Sequence, residues 1–384
     1  MNLKKEYKIA LVIKTDGLEY DDRVRKEILT IMKLYSNVKF KIFVILPENK
    51  EIEGVTSYGV PYKALYLSSR EQYPSSKKLI KKSFEFYTSI RKELKQYDAV
   101  WCADRGSFMT VALCGSKHLL WDLHELPMEM MGGTIKKWLL RFLFWRCRVV
   151  VHANPQRLEY LFENGYIVDK NKHFSLRNYP NFEDIDAEFD DAYSQFIKWK
   201  KEDLCVYLQG LSEERRAGYE TIAAIMGIDN IKAVVVGKMY PESKEKLLAE
   251  FGEEALYNKI YFVGKVAQLK IPQYVSQCEL SLIFYKNVSP NNWYCEANRF
   301  YQSVIMGLPV VVGANPPMKD LVDKYVLGVC IDDDGSDVTK IREGIYSVLN
   351  DFDNYKANIS RNKSELVWNK QEGVIRDIVE CLMA

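Results

Sequence analysis

The run Leu204-Cys205-Val206-Tyr207-Leu208 is short, apolar and composed mainly of residues that favour β-strands. A stretch of helical period follows it, and the same alternation continues through the rest of the chain. Similar runs lie at 233–236, 260–263, 280–284, 310–312 and 329–331. Short buried strands that alternate with helices are typical of βα units and a parallel sheet. The second half is therefore predicted to form a six-stranded, Rossmann-like α/β domain.

The first half of the chain has the same rhythm. Strand-like runs lie at 8–13, 40–46, 99–102, 119–121, 149–151 and 173–176, and helical periods lie at 23–35 and 77–95. The rhythm lapses between 178 and 201, where an acidic stretch replaces it. We predict an N-terminal Rossmann-like domain at 1–180, a linker at 181–200 and a C-terminal Rossmann-like domain at 201–364. An amphipathic helix at 365–384 is expected to dock back on the N-terminal domain.

Composition excludes several classes of protein. A chain of 384 residues suits two α/β domains, and its net charge of +2 gives no electrostatic case for nucleic acid. No apolar run approaches the roughly 20 residues that span a bilayer, and no signal peptide is recognised, so we expect a cytoplasmic protein. The eight cysteines form no CxxC pair and the four histidines have no metal-ligand spacing. We therefore predict no metal and no cofactor.

Ligands of open parallel sheets bind at the carboxyl ends of strands, so residues just after strands are the candidates. The first such loop, Lys14-Thr15-Asp16-Gly17, has one glycine and no GxGxxG pattern, which disfavours an NAD(P) enzyme. The chain also has no GxxxxGK[ST] motif, which disfavours a kinase or ATPase of that type.

The stretch 289–302 places polar residues before and within a helix, and 303–312 continues through Gly307-Leu308-Pro309 into a strand. It resembles glycosyltransferase family 4, whose members carry a P-N-K-x-x-E-like helix followed by G-x-P-V-V. Further landmarks of that family appear in order at 21–27, 97–100, 121–126, 177–180, 208–211, 235–238 and 262–266. The resemblance covers nearly the whole chain. It implies the GT-B fold, in which two Rossmann-like domains face a central cleft, and a retaining transfer of sugar from a nucleotide donor such as UDP- or GDP-sugar.

Cations and glycines after strands of the second half are candidates for holding that donor. A diphosphate carries roughly two negative charges, which Arg215, Arg216 and Lys238 can offset. Solvated surface charge is the alternative for each arginine, and the sequence does not choose between them. The predicted donor-binding residues are Gly210, Arg215, Arg216, Gly237, Lys238, Lys265, Val266, Asn298, Arg299 and Gln302. The resemblance places Lys265 and Val266 at the base and Gln302, where the family has glutamate, at the ribose. Tyr294 stands where the family has the partner glutamate, so the paired-carboxylate pattern is absent.

Two residues are predicted to be catalytic, namely His124 and Glu296. His124 follows a strand of the N-terminal domain, where the resemblance implies contact with the transferred sugar or the acceptor. Glu296, with Asn298 and Arg299, is predicted in the first turn of a helix that faces the donor, and helix capping is its alternative role. Loops after other N-terminal strands supply the predicted acceptor-binding residues, Asp16, Gly17, Arg23, Asp104 and Arg105.

The segment 135–148 mixes two tryptophans and other bulky apolar residues with five cations. Such a helix can lie in a membrane interface, or it can be a core helix with a basic outer edge. Lys77, Lys78, Lys81 and Lys82 add charge to the same domain, which suits a lipid-linked acceptor at the inner membrane leaflet. The expected partners are therefore a nucleotide-sugar donor and a glycan or lipid-linked acceptor, with peripheral membrane contact.

Two other functions fit the same pattern. A nucleotide-sugar epimerase uses a similar fold but needs carboxylates for acid and base chemistry. A catalytically inactive protein that only binds a sugar nucleotide is compatible with Gln302 in place of glutamate.

Overall fold

The computed structural model describes residues 6–74, 77–181, 191–267 and 270–384. Contacts divide the chain into two compact units, the first formed by Met1–Asn178 and Gln371–Ala384 and the second by Tyr179–Lys370. Of the predicted linker at 181–200, residues 182–190 lie outside the described residues. The part that follows them, Asp191–Lys200, is a helix of the second unit.

The first unit has eight described strands in one sheet. They are β1 (Tyr7–Lys14), β2 (Val38–Ile45), β3 (Ile52–Val55), β4 (Pro61–Ala64), β5 (Ala99–Ala103), β6 (Leu119–Leu123), β7 (Val149–His152) and β8 (His173–Ser175). Their order is β3-β4-β2-β1-β5-β6-β7-β8, and every neighbouring pair is parallel except β3 with β4. The helices are α1 (Asp22–Leu34), α2 (Ser68–Gln72), α3 (Leu79–Ile90), α4 (Phe108–Leu113), α5 (Thr134–Arg146) and α6 (Pro155–Glu163).

The sequence misses two of these strands, β3 and β4. β3 lies at the sheet edge and is mostly exposed, with Glu53 and Gly54 between its two apolar residues. β4 begins at Pro61, a residue confined to strand starts and edges because it cannot donate to the ladder. Neither strand contains a run of apolar residues, which is the pattern from which the other strands are predicted.

Helix α1 carries two residues of the candidate site. It begins where the Asp21 side chain accepts the amide of Val24 at 3.4 Å, which satisfies one of the unpaired amides of the first turn. Arg23 and Glu27, four residues apart, lie on one face of the helix and are both buried.

The second unit has six described strands, all parallel, and the predicted sheet is confirmed. They are β9 (Leu204–Gln209), β10 (Ile231–Val236), β11 (Ile260–Gly264), β12 (Leu280–Ile283), β13 (Val310–Val312) and β14 (Gly328–Cys330), in the order β11-β10-β9-β12-β13-β14. The helices are α7 (Asp191–Lys200), α8 (Gly218–Met226), α9 (Pro241–Phe251), α10 (Glu253–Lys259), α11 (Ile271–Val275), α12 (Pro290–Trp293), α13 (Asn298–Ile305), α14 (Pro316–Tyr325), α15 (Val338–Asn350) and α16 (Phe352–Asn362).

The last helix, α17 (Glu372–Met383), packs on α1, β7 and β8 of the first unit, as predicted. It begins later than the sequence pattern suggests, because short 3₁₀ turns occupy the residues before it. The carbonyls of its last turn are satisfied by the first unit: Arg148 Nε donates to Cys381 O at 2.6 Å, and His118 Nδ1 lies 2.7 Å from Leu382 O.

Substitutions at two glycines, one closely packed and one not, test the packing of these elements. At Gly328 a Cβ would lie 2.0 Å from the carbonyl oxygen of Val310 on β13, whereas at Gly373 on α17 it would meet nothing within 4 Å. Gly328→Ala should lower the melting temperature by roughly 6 °C or more, because backbone must move. Gly373→Ala should leave it unchanged or raise it, since alanine favours a helix by about 1 kcal/mol over glycine. Scanning calorimetry measures both, and equal melting temperatures would contradict the described β13–β14 contact.

Candidate functional site

Each sheet reverses its strand order at one pair of neighbouring strands. The reversal lies between β1 and β5 in the first unit and between β9 and β12 in the second. The loops that leave such a pair run in opposite directions and open a crevice at the carboxyl ends of the strands, where ligands of open α/β sheets bind. Each unit therefore has one candidate ligand site.

The glycine turns after β9, β10 and β11 lie side by side. Gly210 N donates to Val236 O at 2.9 Å, and Gly237 N donates to Gly264 O at 2.7 Å. A Cβ on Gly237 would lie 3.5 Å from Gly210 N, and both glycines have positive φ. The loops that carry the two predicted donor-binding glycines are thus in direct contact through their main chains.

The two candidate arginines, Arg215 and Arg216, point to different partners from a 3₁₀ turn at Glu214–Arg216. Arg216 Nη1 donates to Gly210 O at 2.8 Å, and its guanidinium lies 5.8 Å from the Tyr285 ring centroid. Arg215 Nη1 donates to Asn292 Oδ1 at 2.6 Å, beside α12. Both contact Glu213, whose pKa is lowered chiefly by its hydrogen bond from Arg215. Arg216 is therefore the one that reaches the glycine turn.

Arg299 joins the two strands at which the second sheet reverses. Its Nη1 donates to Gln209 O at the end of β9, and its Nη2 donates to Phe284 O just after β12 at 3.3 Å. Only 6% of the residue is exposed, and burial lowers the pKa of its guanidinium. These contacts indicate that Arg299 positions the carboxyl ends of β9 and β12. Its predicted contact with the donor stays a prediction.

The helix predicted after residue 289 is two helices with a break. Asn298 and Arg299 lie in the first turn of α13, as predicted. The placement of Glu296 is wrong, because it precedes the N-cap residue Ala297, whose backbone is extended. The break follows from the end of α12, where the amides of Tyr294 and Cys295 turn back to carbonyls of that helix. Glu296 and Gln302 are half-buried and Asn298 is exposed.

Tyr285 and Asn315 are site residues that sequence reasoning misses. Tyr285 is the second residue after β12, and its ring centroid lies 5.8 Å from the Arg216 guanidinium and 5.1 Å from that of Arg299. Asn315 is fully buried, and its Nδ2 donates to Tyr285 O at 3.2 Å. The position of Tyr285 just after a strand was an available signal, whereas the partners of Asn315 depend on tertiary structure.

Lys238 and Lys265 follow β10 and β11 and are both exposed. Within the described ranges, the Lys238 ammonium has no hydrogen bond or ion pair with protein, so it can meet a ligand without breaking a contact. Val266 packs on the apolar cluster around Phe196 and Tyr274, which fixes the course of the main chain after β11.

A buried charge network lies at the carboxyl end of β6 in the first unit. Asp122 is fully buried and accepts Arg23 Nη2 at 2.9 Å, and His124 Nε2 lies 3.2 Å from its other oxygen. Arg23 also pairs with Glu27 at 3.0 Å and donates to Leu176 O at 2.8 Å. Arg23 is 5% exposed with three protein partners, so it supports Asp122, and its predicted contact with the acceptor stays a prediction.

The network shifts the pKa values of its ionisable side chains. Burial alone would lower the pKa of His124, but the Asp122 carboxylate raises it to about 9. Arg23 and His124 together hold the pKa of Asp122 well below its usual range despite burial. Burial, aided by the Asp122 charge, raises the pKa of Glu27 to about 8. At neutral pH the imidazole is therefore protonated, and His124 is a hydrogen-bond donor rather than a base.

The remaining acceptor-side candidates flank the reversal between β1 and β5. Asp16 and Gly17 follow β1, and a Cβ on Gly17 would lie 2.9 Å from the Tyr20 ring. Asp104 follows β5 with φ +54°, and burial raises the pKa of its carboxyl group. Arg105 is exposed and pairs with Glu129 at 2.6 Å. The loops with these candidates thus leave the two strands that border the crevice.

Arg299 can be tested as a positioning residue. Arg299→Leu should destabilise the second unit by at least about 3 kcal/mol, because several buried carbonyls lose a charged donor. Lys238→Gln, which removes an exposed cation, should leave the melting temperature unchanged. Calorimetry compares the two variants with wild type. Equal stability of all three proteins would contradict the positioning role.

The charge network predicts a pH dependence of stability. His124 has a folded-state pKa of about 9 against 6.5, so its contribution is complete below about pH 6.5 and is lost as pH rises through about 9. The melting temperature should fall over that window, and the fall should be shallower in His124→Gln. His118→Gln serves as the control, because it leaves the Asp122–His124 pair intact and should keep the wild-type slope. Parallel curves for wild type and His124→Gln would contradict the pairing.

Comparisons with known proteins identify the fold. No protein-family profile and no curated protein sequence matches the chain. Among solved structures, sucrose-phosphate synthase from Thermosynechococcus elongatus is 15% identical with a TM-score of 0.74, over 98% of this chain and 99% of that one. HepE of Anabaena in complex with UDP and glucose is 14% identical with a TM-score of 0.71, over 97% and 99%. A glycosyltransferase from Rickettsia africae is 12% identical with a TM-score of 0.70, over 97% and 99%. The likeness extends over both units, and the chain has the GT-B fold of these glycosyltransferases.

Proposed function

We propose that the chain is a nucleotide-sugar glycosyltransferase that transfers a sugar from a UDP- or GDP-sugar to a glycan or lipid-linked acceptor. The observation that carries the proposal is the arrangement after β9 and β10. There Arg216 lies on the Gly210 turn, the Gly237 turn touches it, and Lys238 is exposed beside it. HepE, which has the same fold, has been solved with UDP and glucose, and this supports a donor of that kind.

The chemistry needs a site that stabilises a departing diphosphate. Cations and main-chain amides that already face the leaving group lower the barrier because they need not reorganise during the reaction. Arg216 and Lys238 supply the cations in this proposal. The first turn of α8 follows Arg216 closely, and its N-cap residue, Ala217, has no capping side chain. That helix end adds partial positive charge.

The proposed reaction retains the configuration of the sugar. The bond from the sugar C1 to the diphosphate breaks, the acceptor oxygen bonds to C1 on the same face, and the acceptor proton passes to the leaving phosphate. His124 donates a hydrogen bond to the sugar or acceptor, which its raised pKa of about 9 permits at neutral pH. Glu296 contacts the transferred sugar, Asn298 and Gln302 the donor, and Lys265 and Val266 the base. Asp16, Gly17, Asp104 and Arg105 contact the acceptor. No metal or cofactor is required by this scheme.

The setting of the reaction belongs to the same proposal. We assign the protein to the cytoplasm, with peripheral contact at the inner membrane leaflet when the acceptor is lipid-linked. Among the described residues, no helix is both long enough and apolar enough to cross a bilayer.

A panel of UDP-, GDP-, ADP- and CMP-sugars tests the donor. A ligand at 100 times its dissociation constant stabilises the folded protein by about 2.7 kcal/mol, which a thermal-shift assay detects. We expect a shift with a UDP- or GDP-sugar and about tenfold weaker binding for Lys238→Gln, because one cation at the diphosphate is lost. Lys356→Gln on α16 is the matched control and should bind normally.

Product analysis with the donor that binds separates the alternatives. A new glycoside, or release of nucleotide above background, supports the transferase. An isomerised nucleotide sugar would indicate an epimerase, and binding without turnover would indicate a binding protein. Absence of a shift with every donor would overturn the proposed donor site.

A further inference from the structure

Helix α5 (Thr134–Arg146) has two apolar faces, and only one of them is buried. Leu140, Leu143 and Phe144 pack inside the first unit. On the other side, Ile135 is 85% exposed, Trp138 67% and Trp145 70%. A helix on the surface of a globular domain needs one apolar face for its core. Folding therefore does not account for the second face. The buried residues fit the alternative of a core helix with a basic outer edge, but that edge also carries large apolar side chains.

The exposed side, here called the α5 outer face, consists of Ile135, Trp138, Leu139, Phe142 and Trp145. Its aromatic rings are ordered against one another. Trp138 and Phe142 stack with centroids 6.1 Å apart, and Phe142 and Trp145 lie 6.0 Å apart. Tryptophan rings are enriched at membrane–water interfaces, where an apolar body and a polar N–H each find a suitable medium.

Positive charge lies beside the α5 outer face. From Thr134 to Arg148 the chain carries five cations and no carboxylate, although Arg146 and Arg148 donate to Cys114 O and Cys381 O. Two of them are held at the flank, since Arg141 Nε donates to Gly165 O at 2.7 Å and the Lys137 ammonium lies 5.6 Å from the Tyr166 ring centroid. Lys136 is exposed. The α5 outer face thus combines apolar rings with flanking positive charge.

Another helix of the first unit, α3, also exposes apolar side chains and cations. Helix α4 contacts both α5 and α3, and α3 exposes Ile80 (69%) and Phe84 (48%). Lys77 and Lys78 at the start of α3 are exposed. Lys82 does not present its ammonium at this surface, because that group is buried and donates to Tyr73 O and Pro74 O at 3.1 and 2.7 Å.

We propose that the α5 outer face docks on an anionic lipid bilayer, with the helix parallel to the surface and its rings among the headgroups. Lipid is favoured over a second copy of the chain because a symmetric contact through this face would oppose the same cations on both sides. Anionic headgroups complement those cations. The inference deepens the proposed function and rests on its lipid-linked acceptor. Vesicle binding can nevertheless be measured without any donor.

Vesicle sedimentation with the full chain tests the proposal. Wild-type protein should bind phosphatidylcholine vesicles that contain phosphatidylglycerol, bind pure phosphatidylcholine much less, and be released by high salt. The double variant Trp138→Gln/Trp145→Gln should bind at least about tenfold more weakly, since the two rings that would enter the bilayer are lost. Tyr346→Gln on α15, a 45% exposed aromatic of the second unit, is the matched control and should bind as wild type.

Charge is tested separately. Lys136→Gln should weaken binding about fivefold, which corresponds to about 1 kcal/mol per cation. Wild-type protein that stays in the supernatant, or tryptophan variants that bind normally, would overturn the proposal. So would a dimer in analytical ultracentrifugation that the tryptophan substitutions dissociate.

The donor-induced thermal shift, measured without vesicles, should be the same in the tryptophan variants and wild type. A normal donor-induced thermal shift without vesicle binding would overturn only the proposed membrane-binding role of the α5 outer face. Vesicle binding without a shift for any donor would overturn only the proposed donor site.

Discussion

The reversal of strand order within each parallel sheet is the constraint from which the candidate sites follow. All six described strands of the second unit point the same way, so their carboxyl ends meet at one edge. Where the order reverses, the flanking loops cannot cover that edge, because one crosses to each side of the sheet. Main-chain carbonyls at the ends of β9 and β12 are withdrawn from water and need a hydrogen-bond donor. Arg299 fills this position and satisfies them.

The first unit solves the corresponding problem with a network of charges. Asp122 at the end of β6 is fully buried, and a buried carboxylate is tolerated only with charged partners. Arg23 from α1 and His124 from the following loop provide them. The contacts that stabilise the buried Asp122 carboxylate also keep the His124 imidazole protonated at the end of the sheet. His124 is thus charged and able to donate a hydrogen bond.

Much of this architecture could be predicted from the sequence, and the failures have physical causes. Runs such as 204–208 and 310–312 identify strands because both faces of a parallel sheet are buried. The edge strand Ile52–Val55 buries little and leaves no such signal. The position of His124 after a strand was predictable, but its charge state was not, since Asp122 and Arg23 are 99 residues apart in the chain. The break between α12 and α13 depends on local backbone hydrogen bonds that periodicity does not reveal.

The return of α17 to the first unit affects how the chain is made. Residues Gln371–Ala384 belong to the unit that is otherwise formed by the first part of the chain, and they cover apolar surface on α1, β7 and β8. Domains usually complete their folding in the order in which they leave the ribosome. Here the earlier unit keeps an uncovered face until the whole second unit has been synthesised. During that interval the nascent protein exposes apolar surface of the kind that chaperones bind.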